Sequence, residues 1–156
     1  MATPRRSPPI LEARGTRFLI VEARYYEEIA AMLLEGAKTA FAKAGASFDL
    51  VGVPGALEIP LALAIALDHA AASKHPFDGA VALGCIIRGE THHFEIVANE
   101  SARGILDVQL ETGVPIANGV LTTSTDEQAR SRAAVKGAEA ARVAVEMANT
   151  LKAVAG

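Results

Sequence analysis

The chain has 156 residues, of which 51% are hydrophobic and 21% are charged, and its formal net charge at pH 7 is -3. This length and composition predict one globular domain that buries its core without disulfides or metal ions. The sequence has no basic stripe of the kind that neutralises a phosphate backbone, which disfavours nucleic acid as a partner. It also has no run of about 18 apolar residues and no secretory signal, so we expect no membrane insertion and a cytoplasmic location.

The first residues of the chain differ in composition from the rest. The segment Ala2-Thr3-Pro4-Arg5-Arg6-Ser7-Pro8-Pro9 is rich in proline, carries charge and shows no hydrophobic periodicity. These features are typical of a flexible or strapped-down tail. We therefore predict a tail over residues 1–15 and a single domain over residues 16–156.

Short apolar runs alternate with helical patterns through the predicted domain. Strands are predicted over residues 18–21, 48–53, 80–87 and 115–122, and helices over 28–44, 57–72, 94–111 and from 125 towards the C-terminus. Gly45 ends the first helix, and Ser124 with Glu127 has the spacing of a capping box at the start of the last. The alternation predicts a three-layer α/β/α sandwich around a four-stranded parallel sheet.

The loops after the first two strands hold candidate ligand groups, because ligands of open parallel sheets bind beyond the carboxyl ends of the strands. Tyr25 follows the first strand; its ring can stack on a planar heterocycle, although a partly buried tyrosine at a helix start is the commoner case. Pro54 and Gly55 set a tight turn after the second strand. Glu58 beyond that turn is either a partner of the helix dipole or a ligand for hydroxyl groups.

The loop after the third strand carries the most chemical groups, Gly84-Cys85-Ile86-Ile87-Arg88-Gly89-Glu90-Thr91-His92-His93-Phe94-Glu95. A glycine-containing turn that opens a helix presents free N–H groups, and Thr91 adds a hydroxyl, which suits a phosphate. Neither a Walker loop nor a dinucleotide fingerprint is present. His92 and His93 diverge by about 100° on a regular helix, so we expect one of them to face a ligand and to transfer protons near neutral pH.

Metal and thiol chemistry are not expected. No further histidine or cysteine stands at metal-binding spacing, and His69 and His75 are interpreted as solvent-exposed. Cys85 has apolar neighbours, which favours a small buried hydrophobe over a reactive thiolate. After the fourth strand, Arg130, Arg132 and Lys136 form either a solvated helical face or, at Arg132, a bidentate clamp for phosphate.

Three segments resemble the lumazine synthase family, and they occur in the family's order. They are Val53-Pro54-Gly55-Ala56-Leu57-Glu58-Ile59-Pro60, then Leu83-Gly84-Cys85-Ile86-Ile87-Arg88-Gly89-Glu90-Thr91-His92-His93-Phe94, and Gly119-Val120-Leu121-Thr122-Thr123 with Glu127-Gln128-Ala129. The similarity extends over most of the chain outside the tail. It implies a flavodoxin-like fold and a transferase of riboflavin biosynthesis that needs no cofactor. Its small-molecule substrates would be 5-amino-6-(D-ribitylamino)uracil and 3,4-dihydroxy-2-butanone 4-phosphate.

The resemblance also implies roles for individual residues. The pyrimidine substrate would be held by a stacking ring, by the segment after the second strand and by backbone groups at the end of the third: Tyr25, Ala56, Leu57, Glu58, Cys85, Ile86 and Ile87. The turn at Glu90 and Thr91 would receive the phosphate, and His93 would transfer protons. Asn118, near the pyrimidine, and Arg132, on the phosphate, would come from a neighbouring subunit of a pentamer or larger shell, with Lys136 near the same pocket.

Two other functions are compatible with the predicted fold. A flavodoxin-like electron carrier is disfavoured, because its first loop should be rich in hydroxyl groups and Arg24-Tyr25-Tyr26-Glu27 is not. A non-catalytic shell or flavin-binding protein is the closer alternative, since a fold and its pocket can persist without activity.

Overall fold

The computed structural model describes residues 6, 7, 9 and 11–156. Its elements follow one another as β1 (Arg17–Ala23), α1 (Glu27–Ala44), β2 (Ser47–Val53), a 3₁₀ turn (Ala56–Glu58), α2 (Ile59–Ala72), β3 (Gly79–Ile87), α3 (His93–Thr112), β4 (Ile116–Thr123) and α4 (Asp126–Ala155). Each predicted strand and helix is therefore present, with ends that agree to within two residues. Residues 1–5, 8 and 10 of the predicted tail lie outside the described residues.

The four strands form one parallel sheet in the order β2-β1-β3-β4. Side chains alternate between the two faces of a strand, so β1 sends Phe18 and Ile20 to one face and Leu19 and Val21 to the other. The first pair packs with α1 and α4, and the second packs with α2 and α3. This arrangement confirms the predicted three-layer, flavodoxin-like α/β/α sandwich.

The described end of the predicted tail packs against the domain. Ala13 is buried in the core beside α1 and α4. The Asn149 side-chain amide of α4 donates to the Glu12 carbonyl oxygen at 3.1 Å. The packed core therefore includes residues on the N-terminal side of Thr16.

One of the predicted helix ends is confirmed by the structure, and two are corrected. Gly45 ends α1 with a left-handed φ of 81°, as predicted. The second helix begins at Ile59, two residues later than predicted, because a 3₁₀ turn precedes it. The predicted capping box at Ser124 and Glu127 was wrong by one residue: the extended backbone of Thr125 makes it the N-cap, and its hydroxyl accepts from the Gln128 N–H at 3.1 Å.

Helices α1 and α4 approach each other closely through two glycines. A Cβ added at Gly137 would lie 2.0 Å from the Leu33 carbonyl oxygen, and one added at Gly36 would lie 2.2 Å from the Ala134 carbonyl oxygen. Both obstacles are backbone atoms, so a rotamer change would not relieve either clash. The contact between the two helices therefore requires glycine at both positions.

Within the described part of the chain, no helix has both the length and the apolarity that a membrane span requires.

Gly137→Ala should destabilise the fold although alanine is the better helix former. In an exposed helix this substitution would gain about 1 kcal/mol, but here overpacking against α1 should cost about 2 kcal/mol or more. Urea unfolding of both proteins at one protein concentration measures the difference. Gly52→Ala is the control, because a Cβ at Gly52 meets no atom within 4 Å among the described residues; a Gly137→Ala protein as stable as wild type would mean that the helices can move apart freely.

Candidate active site

A central cleft of about 440 Å³ opens beyond the carboxyl ends of β1, β2 and β3. The helix after β1 packs on one face of the sheet, whereas the helix after β3 packs on the other. A crevice is left where the chain changes face, as is usual for open parallel sheets. The lining residues are Tyr25, Tyr26, Pro54, Gly55, Ala56, Leu57, Glu58, Cys85, Ile86, Ile87, Gly89, Thr91, His93, Phe94 and Val97.

The cleft brings together most of the residues that the sequence singled out. All seven predicted pyrimidine-binding residues outside β4 line it, together with Thr91 and His93. Glu90 is exposed in the turn between the lining residues Gly89 and Thr91, and among the described residues it is not part of the lining. The Glu90 carboxylate therefore belongs to the turn without forming part of the cleft wall.

Tyr25 and Tyr26 form one wall of the cleft, and we call this pair the aromatic shelf. Their ring centroids are 5.0 Å apart with an interplanar angle of 72°, an edge-to-face arrangement. Tyr25 is 74% exposed, so it is not the partly buried tyrosine that is commoner at a helix start. Tyr26 packs against the α1 and α4 core, and this burial raises its pKa above the ordinary value. Tyr26 thus supports a ring that is free to meet a planar ligand.

The turn after β2 presents Glu58 to the cleft. Glu58 is exposed and stands at the N-cap of α2, and within the described residues its side chain makes no capping hydrogen bond. A Cβ added at Gly55 would lie 3.1 Å from Glu58 Oε2, so glycine leaves room for the carboxylate. The carboxylate is therefore available to hydroxyl groups of a ligand, one of the two roles that the sequence left open.

The two adjacent histidines diverge as expected. His93 is the first residue of α3 and lines the cleft, whereas His92 turns towards Glu95, with 3.7 Å between His92 Nδ1 and Glu95 Oε2. The His93 N–H points to Thr91 Oγ1 over a long 3.4 Å contact, in which the hydroxyl is the acceptor. Val97 lies on the same helical face as His93, and this four-residue spacing is the signal that could have predicted Val97 in the lining.

The predicted residues of β4 and α4 lie elsewhere. Asn118 and Lys136 line a second cleft of about 580 Å³ between β4, α3 and α4, which we call the edge cleft. Arg132 is exposed on α4, where Nη1 donates to the Gln128 carbonyl oxygen at 3.0 Å, and among the described residues it lines neither cleft. Arg130 bridges Glu28 and Asp126 on the surface, as a solvated helical face would.

The central cleft itself contributes little positive charge. None of its described lining residues is lysine or arginine. Among the residues that the structure describes, no three His, Cys, Asp or Glu side chains lie close enough together to hold a metal ion. A phosphate in this cleft would therefore meet backbone N–H groups, the Thr91 hydroxyl and His93 from one chain only.

The thiol of Cys85 is an inert part of the cleft. Its side chain is buried, as the apolar neighbours indicated, and burial followed by the nearby charge of Asp126 raises its pKa to about 11. The reactive thiolate is then scarce at neutral pH. Cys85 therefore lines the floor of the cleft without acting as a nucleophile.

Alkylation should report this raised pKa directly. Because the folded thiol ionises only near pH 11, the iodoacetamide rate of the native protein should be low at pH 8 and should keep rising about tenfold per pH unit up to that value. Mass spectrometry measures the adduct at the one cysteine of the chain. Protein unfolded in urea is the control and should react like a free thiol; a native protein that reacts equally fast at pH 8 would contradict the raised pKa.

The whole domain is similar to proteins of one family, in agreement with the three motifs. The sequence profile of the 6,7-dimethyl-8-ribityllumazine synthase family matches residues 15–152. The 6,7-dimethyl-8-ribityllumazine synthase of Methylocella silvestris is 56% identical over 153 residues, covering 94% of this chain and 93% of the relative. Those of Beijerinckia indica and Afipia carboxidovorans are 55% and 51% identical over 94% of this chain, covering 84% and 94% of the relatives. The chain therefore belongs to the 6,7-dimethyl-8-ribityllumazine synthase family.

Proposed function

We propose that the central cleft condenses 5-amino-6-(D-ribitylamino)uracil with 3,4-dihydroxy-2-butanone 4-phosphate to give 6,7-dimethyl-8-ribityllumazine. The observation that carries the proposal is the convergence of an exposed aromatic ring, a free carboxylate and a histidine on one cleft. Tyr25 stacks on the pyrimidine, and Glu58 accepts hydrogen bonds from the ribityl hydroxyl groups. The strand end at Cys85, Ile86 and Ile87 holds the uracil edge through backbone groups.

His93 serves as the proton-transfer residue of the reaction. The amine of the uracil attacks the ketone, and loss of water gives an imine. Phosphate then leaves by elimination, and ring closure with loss of a second water completes the lumazine. Each step transfers a proton, and His93 lines the cleft as the first residue of α3. Alignment of two reactive partners in one cleft supplies much of the acceleration, and general acid–base catalysis supplies a further part.

The phosphate is bound by the turn at Thr91 together with Arg132 from a neighbouring subunit. This assignment is supported by the charge of the cleft, because none of its described lining residues is lysine or arginine. A bidentate guanidinium is well suited to supply the missing charge. Asn118 and Lys136 line the same edge cleft, so both can face the pocket of one neighbouring subunit from their present positions.

The exposed apolar residues support self-association into a ring, most simply a pentamer. Leu61 and Ile65 on α2 are 69% and 62% exposed, and Leu110 on α3 is 73% exposed. On α4, Val143, Met147 and Leu151 are also exposed, whereas Val145 is buried within its own subunit. Apolar surface of this extent is typical of subunit interfaces. A ring joins two different surfaces, which would set the edge cleft of one subunit beside the central cleft of the next.

The reaction is tested by mixing the purified protein with both substrates and following lumazine absorbance. Formation of the product with release of phosphate supports the proposal. A protein that binds the pyrimidine or a flavin but forms no product would be the non-catalytic alternative.

The expected cytoplasmic location stays a prediction.

His93→Ala should lower turnover by about 10- to 10⁴-fold while leaving binding of the pyrimidine nearly unchanged. The reason is that the imidazole acts on protons in the transition state and the pyrimidine is held by other groups. Steady-state kinetics at saturating substrates measures the loss. His92→Ala is the matched control, since His92 turns towards Glu95 outside the cleft; unchanged turnover in His93→Ala would remove His93 from the mechanism.

A mixing experiment tests the shared site. His93→Ala and Arg132→Ala proteins, each with strongly reduced activity, are unfolded and refolded together in equal amounts. Random assembly gives about a quarter of the interfaces an intact His93 facing an intact Arg132, so activity should return to about that fraction of wild type. The Arg130→Ala protein should keep its activity throughout. If mixed rings, recovered through an affinity tag carried by only one of the two variants, stay inactive, both residues belong to one subunit's pocket.

A further inference from the structure

Glu22 is a buried carboxylate on the central strand of the sheet. It lies between β2 and β3, opposite Gly52 on one side and Leu83 on the other. The residue is 4% exposed in a strand whose neighbouring side chains are apolar. Strand alternation puts it on the face that α1 and α4 cover. An apolar residue would fill this position at lower cost, because a buried charge needs a partner that repays its desolvation.

Arg24 is that partner. Its Nη1 donates to both carboxylate oxygens of Glu22, at 2.9 and 3.0 Å, and its Nε donates to Glu27 Oε2 at 3.1 Å. The Arg24 backbone N–H also points to the Val53 carbonyl oxygen, 3.4 Å away. One arginine thus joins the end of β1 to the end of β2 and to the first turn of α1. We call Glu22, Arg24 and Glu27 the clamp.

The clamp encloses the aromatic shelf. Tyr25 and Tyr26 are the only residues between Arg24 and Glu27 in the chain. Tyr26 is the N-cap residue of α1, and within the described residues it makes no side-chain capping hydrogen bond. Tyr25 is largely exposed, and its ring stands in edge-to-face contact with Tyr26. The backbone between the two ends of the clamp therefore sets where the Tyr25 ring stands.

We propose that Glu22 and Arg24 are positioning residues that hold the aromatic shelf in the orientation that stacks on the pyrimidine substrate. The inference rests on the proposed function, because the pyrimidine on which Tyr25 stacks is a substrate of that reaction. Neither residue lines the central cleft among the described residues, so both act through Tyr25 and Tyr26. The clamp thereby links the buried centre of the sheet to the affinity for one of the two substrates.

Glu22→Gln tests the kinetic part of the proposal. It keeps the size of the side chain and removes the charge that Arg24 pairs with. The KM for the ribitylaminouracil should rise about 5- to 30-fold, which corresponds to about 1–2 kcal/mol of lost stacking on a displaced ring. The KM for the butanone phosphate and the kcat should stay near their wild-type values. Equal losses for both substrates would indicate a general structural role and would overturn the proposal.

Tyrosine spectroscopy tests the shelf without any substrate. The sequence contains two tyrosines and no tryptophan, so the tyrosine band in near-ultraviolet circular dichroism reports on Tyr25 and Tyr26 alone. Glu22→Gln should weaken this band while the far-ultraviolet spectrum stays unchanged. An inactive wild-type protein with a clamp-dependent tyrosine band would refute the proposed function but not the clamp. If the wild-type protein is active and Glu22→Gln keeps both the tyrosine band and the KM of wild type, the positioning role of the clamp is refuted.

A second variant covers the case in which Glu22→Gln does not fold. Glu22→Leu combined with Arg24→Met replaces the ion pair by apolar side chains, a change that is often neutral or stabilising. The double variant should unfold like wild type but keep the raised KM and the weakened tyrosine band. A double variant with a wild-type KM and a wild-type tyrosine band would show that core packing alone matters and would overturn the proposal.

Arg130→Gln is the matched control for both variants. It removes an arginine that bridges Glu28 of α1 and Asp126 of α4 on the outer surface; Glu28 follows the clamp residue Glu27 in the chain but is not part of the clamp. Its KM values and tyrosine band should equal those of wild type. A control that behaves like Glu22→Gln would overturn the specific role of the clamp, because any charge near the start of α1 would then suffice.

Discussion

The parallel pairing of β1 with β2 on one side and with β3 on the other is the constraint on which the site depends. It brings three strand ends to one edge of the sheet, although long stretches of sequence separate them. Because α1 and α3 leave these ends towards opposite faces, neither helix closes the gap between them. Tyr25, Glu58 and His93 each follow a different strand, and this gap is where they meet. The chemistry of the cleft is thus a consequence of strand order.

The close packing of α1 and α4 extends this constraint to the back of the cleft. Gly36 and Gly137 have no side chain, so each lies directly against backbone atoms of the other helix. This contact holds the first turn of α4 near the sheet, where the charge of Asp126 acts on both Cys85 and Tyr26. The Cys85 thiol beneath the cleft is consequently kept in its unreactive form at neutral pH. The reactive groups are left on the turns around its rim.

Charge is distributed unevenly between the parts of the subunit. The central cleft offers a carboxylate and a histidine, whereas Lys136 lies in the edge cleft and Arg132 lies outside both. A phosphate substrate needs more positive charge than the described lining of the central cleft provides, and this need is the physical argument for a site completed by a second subunit. The clamp, of which Glu22 is the buried member, serves a different purpose, since its charges satisfy one another and fix the geometry of the aromatic shelf.

Local patterns in the sequence determined the strands, the helices and the glycine stop at residue 45, because hydrophobic periodicity and turn chemistry depend on near neighbours. The motifs also identified the family and the loops that carry the candidate residues. Tertiary structure decided what those patterns could not: that Glu90 stands outside the lining, that Asn118 lies in a separate cleft, and that Phe94 and Val97 join the central one. It alone showed that the buried Glu22 pairs with Arg24, just beyond the end of β1. Burial and the convergence of strand ends arise from contacts between distant parts of the chain, which no local pattern encodes.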